Sequence, residues 1–481
     1  MTLADEIIYG QLPNIQQHLA QGETLDDIDE YGFTPLIECA IVGNLPAAEL
    51  LLAQGVDVDK TDVTGRTALH WAADNNNLSL VKMLLAKQSD PNAYNRGGQS
   101  VLVFPLLRDH WMVKQVLYQF GASLDFAMDF INAKLIGHRF ELKGDVDIVN
   151  SAGEFIELDY EGFILEFSID VIRDSLARFK NNYSARPLRA YFSQLGEIIY
   201  AFEQAAELLK CQYLRLDALE LEKRITPLVD QAVLIFPVAY RGHAISFIKV
   251  GHFWAKIDRG ENSQKEGTVN IYYMDEPNKC SESFIKGLLF QRQSEHYVHQ
   301  QINQELGLKR MFTLPISQQI TGNCSWANIE AIVPTALFML QLENDNTLVK
   351  EVVETCLINA MEFYQKWMTW DKDRTIEACI HGFNEVDAQR QASRVSLLGA
   401  ILFQACDFEN ERHRQRAQKI IQILMLPDFQ YVLQSYIEAY CVQRLTPRGN
   451  KLLKFLEDEG INAAYGIQSI ATAVKDNKNQ S

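Results

Sequence analysis

The sequence predicts three successive parts: an α-helical solenoid of short repeats, an α+β domain built round an antiparallel meander, and an all-helical C-terminal region. Three observations predict this. Residues 1–127 repeat with a 33-residue period. Residues 231–275 carry apolar runs broken by short turns, and from Ser325 to about residue 470 apolar positions recur at helical spacing. The expected boundaries are 1–127, 128–345 and 346–481.

The repeat is explicit. Gly32-Phe33-Thr34-Pro35-Leu36, Gly65-Arg66-Thr67-Ala68-Leu69-His70 and Gly98-Gln99-Ser100-Val101-Leu102 stand in register, as do Leu51-Leu52 and Leu84-Leu85. This is the pattern of ankyrin repeats, about four here. The threonine caps a first helix, the Leu-Leu pair closes a second, and an Asp/Asn-rich turn follows. Residues 1–30 lack the first helix's box and read as a truncated cap. The last repeat departs at Val101 and Phe104-Pro105. Such arrays bind proteins through turn tips and the concave helix face. Tyr31, Thr64, Tyr94, Asn95 and Arg96 occupy the tips and are the expected partner-binding residues. His70 belongs to the repeat box and is structural.

Composition narrows the class. A net charge of -17 argues against a nucleic-acid backbone or an anionic membrane as partner. Eight cysteines, none in a CxxC pair or a Cys/His cluster, point to no metal site, no disulfide framework and a reducing compartment. No cofactor motif is visible. The N-terminus has no basic segment followed by an apolar core, so no cleaved leader is expected. The longest apolar stretch, Ala331 to Leu340, contains Pro334 and is too short to span a bilayer.

In the middle region, Phe140 to Lys143 and Phe155 to Leu158 alternate like strands, and 168–180 and 187–210 read as helices. Ala232 to Val238, His243 to Val250, Phe253 to Asp258 and Val269 to Met274 form the meander. Gly251-His252 is a two-residue hairpin turn. Residues 282–306 read as helical and Met311 to Ile316 as a strand. The polar end, Lys475 to Ser481, reads as a frayed tail.

Chemistry centres on Gln318 to Asn328. Cys324 follows a Gly-Asn turn and opens a buried helix, where the macrodipole and free N–H groups favour thiolate. Gln318, with Gln319 as its alternative, offers an amide that together with the Cys324 N–H would form an oxyanion hole. A thiolate nucleophile needs a base and a group that orients the base. With Val250 facing Phe253, residues across the hairpin have numbers summing to about 503, so His243 faces the segment around Asp258 to Gly260. The pair His252/Asp275 lies at the opposite edge and is the alternative. His243/Asp258 is preferred because His243 opens its strand after a glycine, whereas His252 sits in a tight turn. His296 and His299 read as solvated residues on a helix.

Two resemblances follow from these residues. Gln318, Cys324 and Trp326 resemble the papain-type active-site strip, although Ser325 intervenes. The order His243, Asp258, Gln318, Cys324 is similar to that of the adenain and SUMO-protease clan, which includes the YopJ-type acetyltransferases. The resemblance implies a cysteine-protease-like α+β domain that hydrolyses peptide or isopeptide bonds, or a transferase built on the same triad. The whole chain resembles the Legionella ankyrin-repeat effectors. That resemblance implies delivery by the Dot/Icm type IV secretion system into the host cytosol or nucleus, with a host protein bound by the repeats. Glu457-Asp458-Glu459 fits that route's acidic tail signal. A non-catalytic interaction protein is the alternative function.

Overall fold

The computed structural model describes residues 2–10, 12, 14–142, 145–150, 152–159, 163–213, 218–240, 242–260, 263–319, 322–345 and 348–461. Lys143, Glu261, Asn262 and the tail Lys475 to Ser481 therefore lie outside the described residues. The chain forms two compact units, Met1–Leu135 and Ile136–Ser481.

The first unit stacks four helix pairs: Leu3–Ile8 with Ile15–Ala20, Pro35–Val42 with Leu45–Ala53, Ala68–Asp74 with Leu78–Ala86, and Val103–Leu107 with Trp111–Gln119. The expected truncated cap is a complete pair of short helices. Thr2 and Asp5 form a reciprocal capping box that supplies the start signal in place of the missing motif. A different device, an Asx turn, recurs at the turn tips. Asp29 Oδ1 accepts from the Tyr31 and Phe33 N–H groups, Asp62 Oδ1 from Thr64 and Arg66, and Asn95 Oδ1 from Gly97 and Gln99. Asn95 and Thr64, whose hydroxyl bonds Asp62 at 2.6 Å, thus hold the tips together. Tyr31 and Tyr94, each 65% exposed, remain the tips' free aromatic surface. Gly65 has φ +84°, and a Cβ there would sit 2.9 Å from the Arg96 amide, so successive turns stack only over glycine. His70 is buried. Its Nδ1 bonds Thr67, its Nε2 lies 3.3 Å from the Gln99 carbonyl, and burial above all pushes its pKa down to about 4.

The boundary expected at residue 127 falls inside a helix, Leu124–Arg139, whose buried Ala127, Ile131 and Leu135 continue at i, i+4. The strand expected at Phe140 is this helix's end. Glu141 takes φ +49° and the Leu142 N–H returns to the Gly137 carbonyl, a left-handed C-terminal closure.

In the second unit β1 (Asp145–Val149) pairs antiparallel with β2 (Phe155–Asp159). A separate antiparallel sheet runs in simple chain order: β3 (Val233–Tyr240), β4 (His243–Val250), β5 (Phe253–Ile257), β6 (Val269–Met274) and β7 (Leu308–Leu314). Helices pack on both faces. Phe192–Tyr213 and Glu282–Phe290 lie against β3, and Cys324–Glu330 and Ile332–Asp345 against β4. Coverage of both faces explains the near-continuous apolar runs of β3 and β4, because alternation is lost where neither face meets water. Phe236, Phe247, Trp254 and Phe284 centre the core beneath the sheet. The remaining described elements are helices, including Lys350–His381, Ala388–Ala405 and Glu411–Leu424.

Candidate active site

The hairpin register places the first two groups. Val250 faces Phe253 and Ser246 faces Ile257, so paired numbers sum to 503 throughout. Extended past the ladder, the same register brings His243 over Gly260. His243 Nε2 lies 3.0 Å from Asp258 Oδ1, which also accepts the Gly260 N–H at 3.0 Å. Asp258 is buried and His243 partly open. A Cβ on Gly260 would fall 2.8 Å from His243 Cε1, so the imidazole occupies the space a side chain would need. Gly260→Ala should displace the ring while the fold survives, slowing Cys324 chemistry by about 10²-fold. Alkylation rates beside an unchanged melting curve measure this; an unaltered rate would contradict it.

Cys324 begins the helix Cys324–Glu330, where the His243 side chain and the Ala244 and Ser325 backbone act on its thiol. With Nε2 turned to Asp258, the other ring nitrogen is the one left for sulfur. Burial is the largest influence on the thiol and raises its pKa. The His243 hydrogen bond, the two amides and the imidazolium charge outweigh burial and hold it below its ordinary value. His243 moves the other way, up to about 10, through Asp258 first and Cys324 second. Asp258 is held down despite burial by His243 and the Gly260 amide. The arrangement is a thiolate–imidazolium pair with a carboxylate behind it.

Two residues outside that set fasten the three segments of the site. Asn328, fully buried one helical turn after Cys324, donates Nδ2 to the Ala244 carbonyl at 2.6 Å and accepts the Arg259 N–H at 2.8 Å. It therefore ties the nucleophile's helix to the histidine's strand and the aspartate's loop. Arg259 donates Nε to the Ser317 carbonyl at 2.8 Å and Nη1 to the Ala327 carbonyl at 3.2 Å. Its Nη2 lies 2.9 Å from Glu141 Oε1. The i, i+4 spacing of Cys324 and Asn328 was the available sequence signal, since those positions share a helix face.

The other expected residues are placed as follows. Gln318 Nε2 donates to Ser263 Oγ at 3.0 Å, and that hydroxyl bonds the Gly260 carbonyl. The amide assigned to the oxyanion hole thus braces the aspartate loop. Gln319 donates its backbone N–H to the Arg259 carbonyl. His252 and Asp275 are not brought together: His252 Nδ1 sits 3.4 Å from Glu343, and Asp275 pairs with Lys309 at 2.5 Å. His299, expected in solvent, is at the site. Its Nε2 is 2.7 Å from Tyr240 Oη and 3.9 Å from Asp258 Oδ2, and its Nδ1 is 3.3 Å from Lys256 Nζ. Burial first and Lys256 second lower its pKa, so it sits behind Asp258 as a neutral imidazole. His296 is exposed, as expected.

Cys324 and His243 open into a cavity of about 620 Å³ walled by β3, the helix start at Leu165 and the end of helix Glu282–Phe290. Among the described residues no His/Cys/Asp/Glu cluster has a metal-binding arrangement, and no helix is long and apolar enough to cross a membrane.

A family model for ankyrin repeats matches residues 3–95 in three copies. No curated protein matched the sequence. The solved structure of the Legionella effector AnkH is similar along almost the whole chain, with a TM-score of 0.72. At 53% identity over 96% of this chain and 98% of that one, the protein belongs to the family of the Legionella effector AnkH.

Proposed function

We propose that the protein is an effector that acts inside a host cell, where its ankyrin repeats hold a host protein and Cys324 hydrolyses a peptide or isopeptide bond. The observation that carries the catalytic part is the thiol held below its ordinary pKa against burial, by a histidine that is itself bonded to a buried aspartate. Effector action is supported by the similarity to AnkH, and protein binding by the repeats. Delivery by a type IV system and a cysteine-protease-like domain within residues 128–345 are parts of the same proposal.

The chemistry runs in two steps. The Cys324 thiolate attacks the carbonyl carbon, and His243 passes its proton to the departing amine, leaving a thioester. His243, now neutral, takes a proton from water as the oxygen attacks the thioester. The acid is released and the thiolate–imidazolium pair returns. Asp258 keeps the ring turned throughout.

The test is brief iodoacetamide treatment of the full chain at neutral pH, followed by mass spectrometry. Cys324 should label ahead of the other seven cysteines; burial pushes Cys39, Cys280 and Cys406 up to about 12. Labelling no faster than theirs would remove the hydrolase. One observation favours a second reading, a non-catalytic scaffold: the Gln318 amide donates to Ser263. In that case Cys324→Ala leaves the host phenotype intact, while Tyr31→Ala with Tyr94→Ala abolishes partner capture.

A further inference from the structure

The cavity beside Cys324 holds a carboxylate that the hydrolysis does not use. Glu166 lies in the first turn of the helix Leu165–Lys180 and lines the same cavity as Cys324 and His243. It is 6% exposed, and among the described residues it makes no hydrogen bond or ion pair. It is one of the residues that form the cavity wall beside Cys324 and His243. A shielded carboxylate without a partner would gain a charge-assisted hydrogen bond from an arriving cation.

The rest of the wall describes what carries the cation. Leu209, Val238, Leu288 and Leu289 give the cavity apolar sides. Two of its three glutamine side chains are engaged: Gln212 Nε2 donates to the Leu289 carbonyl, and Gln293 Nε2 to the Gly287 and Leu288 carbonyls. A long methylene stem suits such walls, and a charged tip suits Glu166. The protein's net charge of -17 also draws basic partners towards it.

We propose that Glu166 is a specificity residue: the site takes polypeptide substrates that place a lysine or arginine side chain in this cavity, next to the bond that Cys324 attacks. This rests on the hydrolase reading. The stem lies along Leu209 and Leu288, and the ammonium or guanidinium meets the Glu166 carboxylate.

The experiment uses the full chain and short peptidyl acyloxymethyl ketones, which alkylate an active-site thiolate. The residue next to the warhead is lysine, arginine, norleucine or glutamate, and Cys324 labelling is followed by intact mass. The lysine or arginine probe should react about tenfold or more faster than norleucine, with glutamate slowest. In Glu166→Gln, whose shape is conserved, the lysine-to-norleucine and arginine-to-norleucine ratios should fall to about one. Norleucine equal to both cations in the native protein, or a cation preference that survives in Glu166→Gln, overturns the assignment. If iodoacetamide labels Cys324 selectively but every peptide fails, the cavity assignment falls and the reactive thiolate stands. If iodoacetamide shows no selectivity, the hydrolase reading falls and this assignment with it.

Discussion

His243→Ala is expected to slow alkylation of Cys324 at pH 6.5 and to remove peptide hydrolysis by about three orders of magnitude or more. The two losses have different causes. Three groups hold the thiol down: the His243 ring, the Ala244 amide and the Ser325 amide. The ring supplies both a hydrogen bond and a full positive charge. Once it is gone, burial, already the largest influence, has only two amides against it, and the thiol pKa rises. Alkylation of the variant should therefore need a higher pH than that of the native protein. Hydrolysis also needs the proton carried by His243. Its native profile should rise through the lowered Cys324 pKa and fall as His243 deprotonates near pH 10. A variant that alkylates at the native rate at pH 6.5 would show that His243 does not control the sulfur.

Much of this site was legible because local rules determine it. A Gly-His turn between two apolar runs fixes the β4–β5 register, and that register alone carries His243 to Asp258 and Gly260. A turn followed by a helix opening fixes Cys324. What escaped depends on contacts between distant segments. His299 lies in a π-helical turn, Tyr297–Gln301, where 3.6-residue spacing no longer tells which way a ring faces. It reaches Tyr240 and Asp258 because the helical segment between β6 and β7 packs on the sheet, with Val298 and Ile302 in its core. The bond from Gln318 to Ser263 joins residues 55 apart in the chain. Phe140 to Leu142 alternates as a strand does, yet a helix ending in a left-handed residue gives the same short pattern. In the repeats, the period identified Asn95 as a tip, but not that its carboxamide is consumed by its own turn.

The neighbourhood of His299 supplies a finer test of the aspartate. Asp258 Oδ2 has no hydrogen bond among the described residues, and the neutral His299 ring 3.9 Å away is held by Tyr240 and Lys256. Replacing Tyr240 by phenylalanine frees that ring. The expected result is a shifted upper limb of the hydrolysis profile with a near-native melting curve, which a purely structural tyrosine would not produce.

The largest loss of stability is expected from Arg259→Met, about 3–5 kcal/mol in urea unfolding at pH 7. Arg259 is 1% exposed and reaches two carbonyls, the Ser317 hydroxyl and two carboxylates. Methionine fills a similar volume, so the loss is one of charge and hydrogen bonds rather than of packing. Glu330, 3.8 Å from the guanidinium, is already pushed up to about 7, by burial first and by Glu141 second. Its folded pKa stands above the unfolded one, so the neutral acid is the favoured native form. The stability it contributes is complete below about pH 4.3, the unfolded value, and is lost as pH rises towards 7. Arg259 limits that loss by attracting the anion. Without it the native pKa climbs further, and the fall in stability with pH should extend above 7. Adding Glu330→Gln to Arg259→Met should flatten the pH dependence and recover part of the stability, because no unpaired charge then remains at that position. Arg259 is also the residue whose backbone joins Asn328 to the aspartate loop. Urea midpoints and Cys324 alkylation should therefore fall together in Arg259→Met, whereas a stability loss with full thiol reactivity would separate the buried ion cluster from the catalytic geometry.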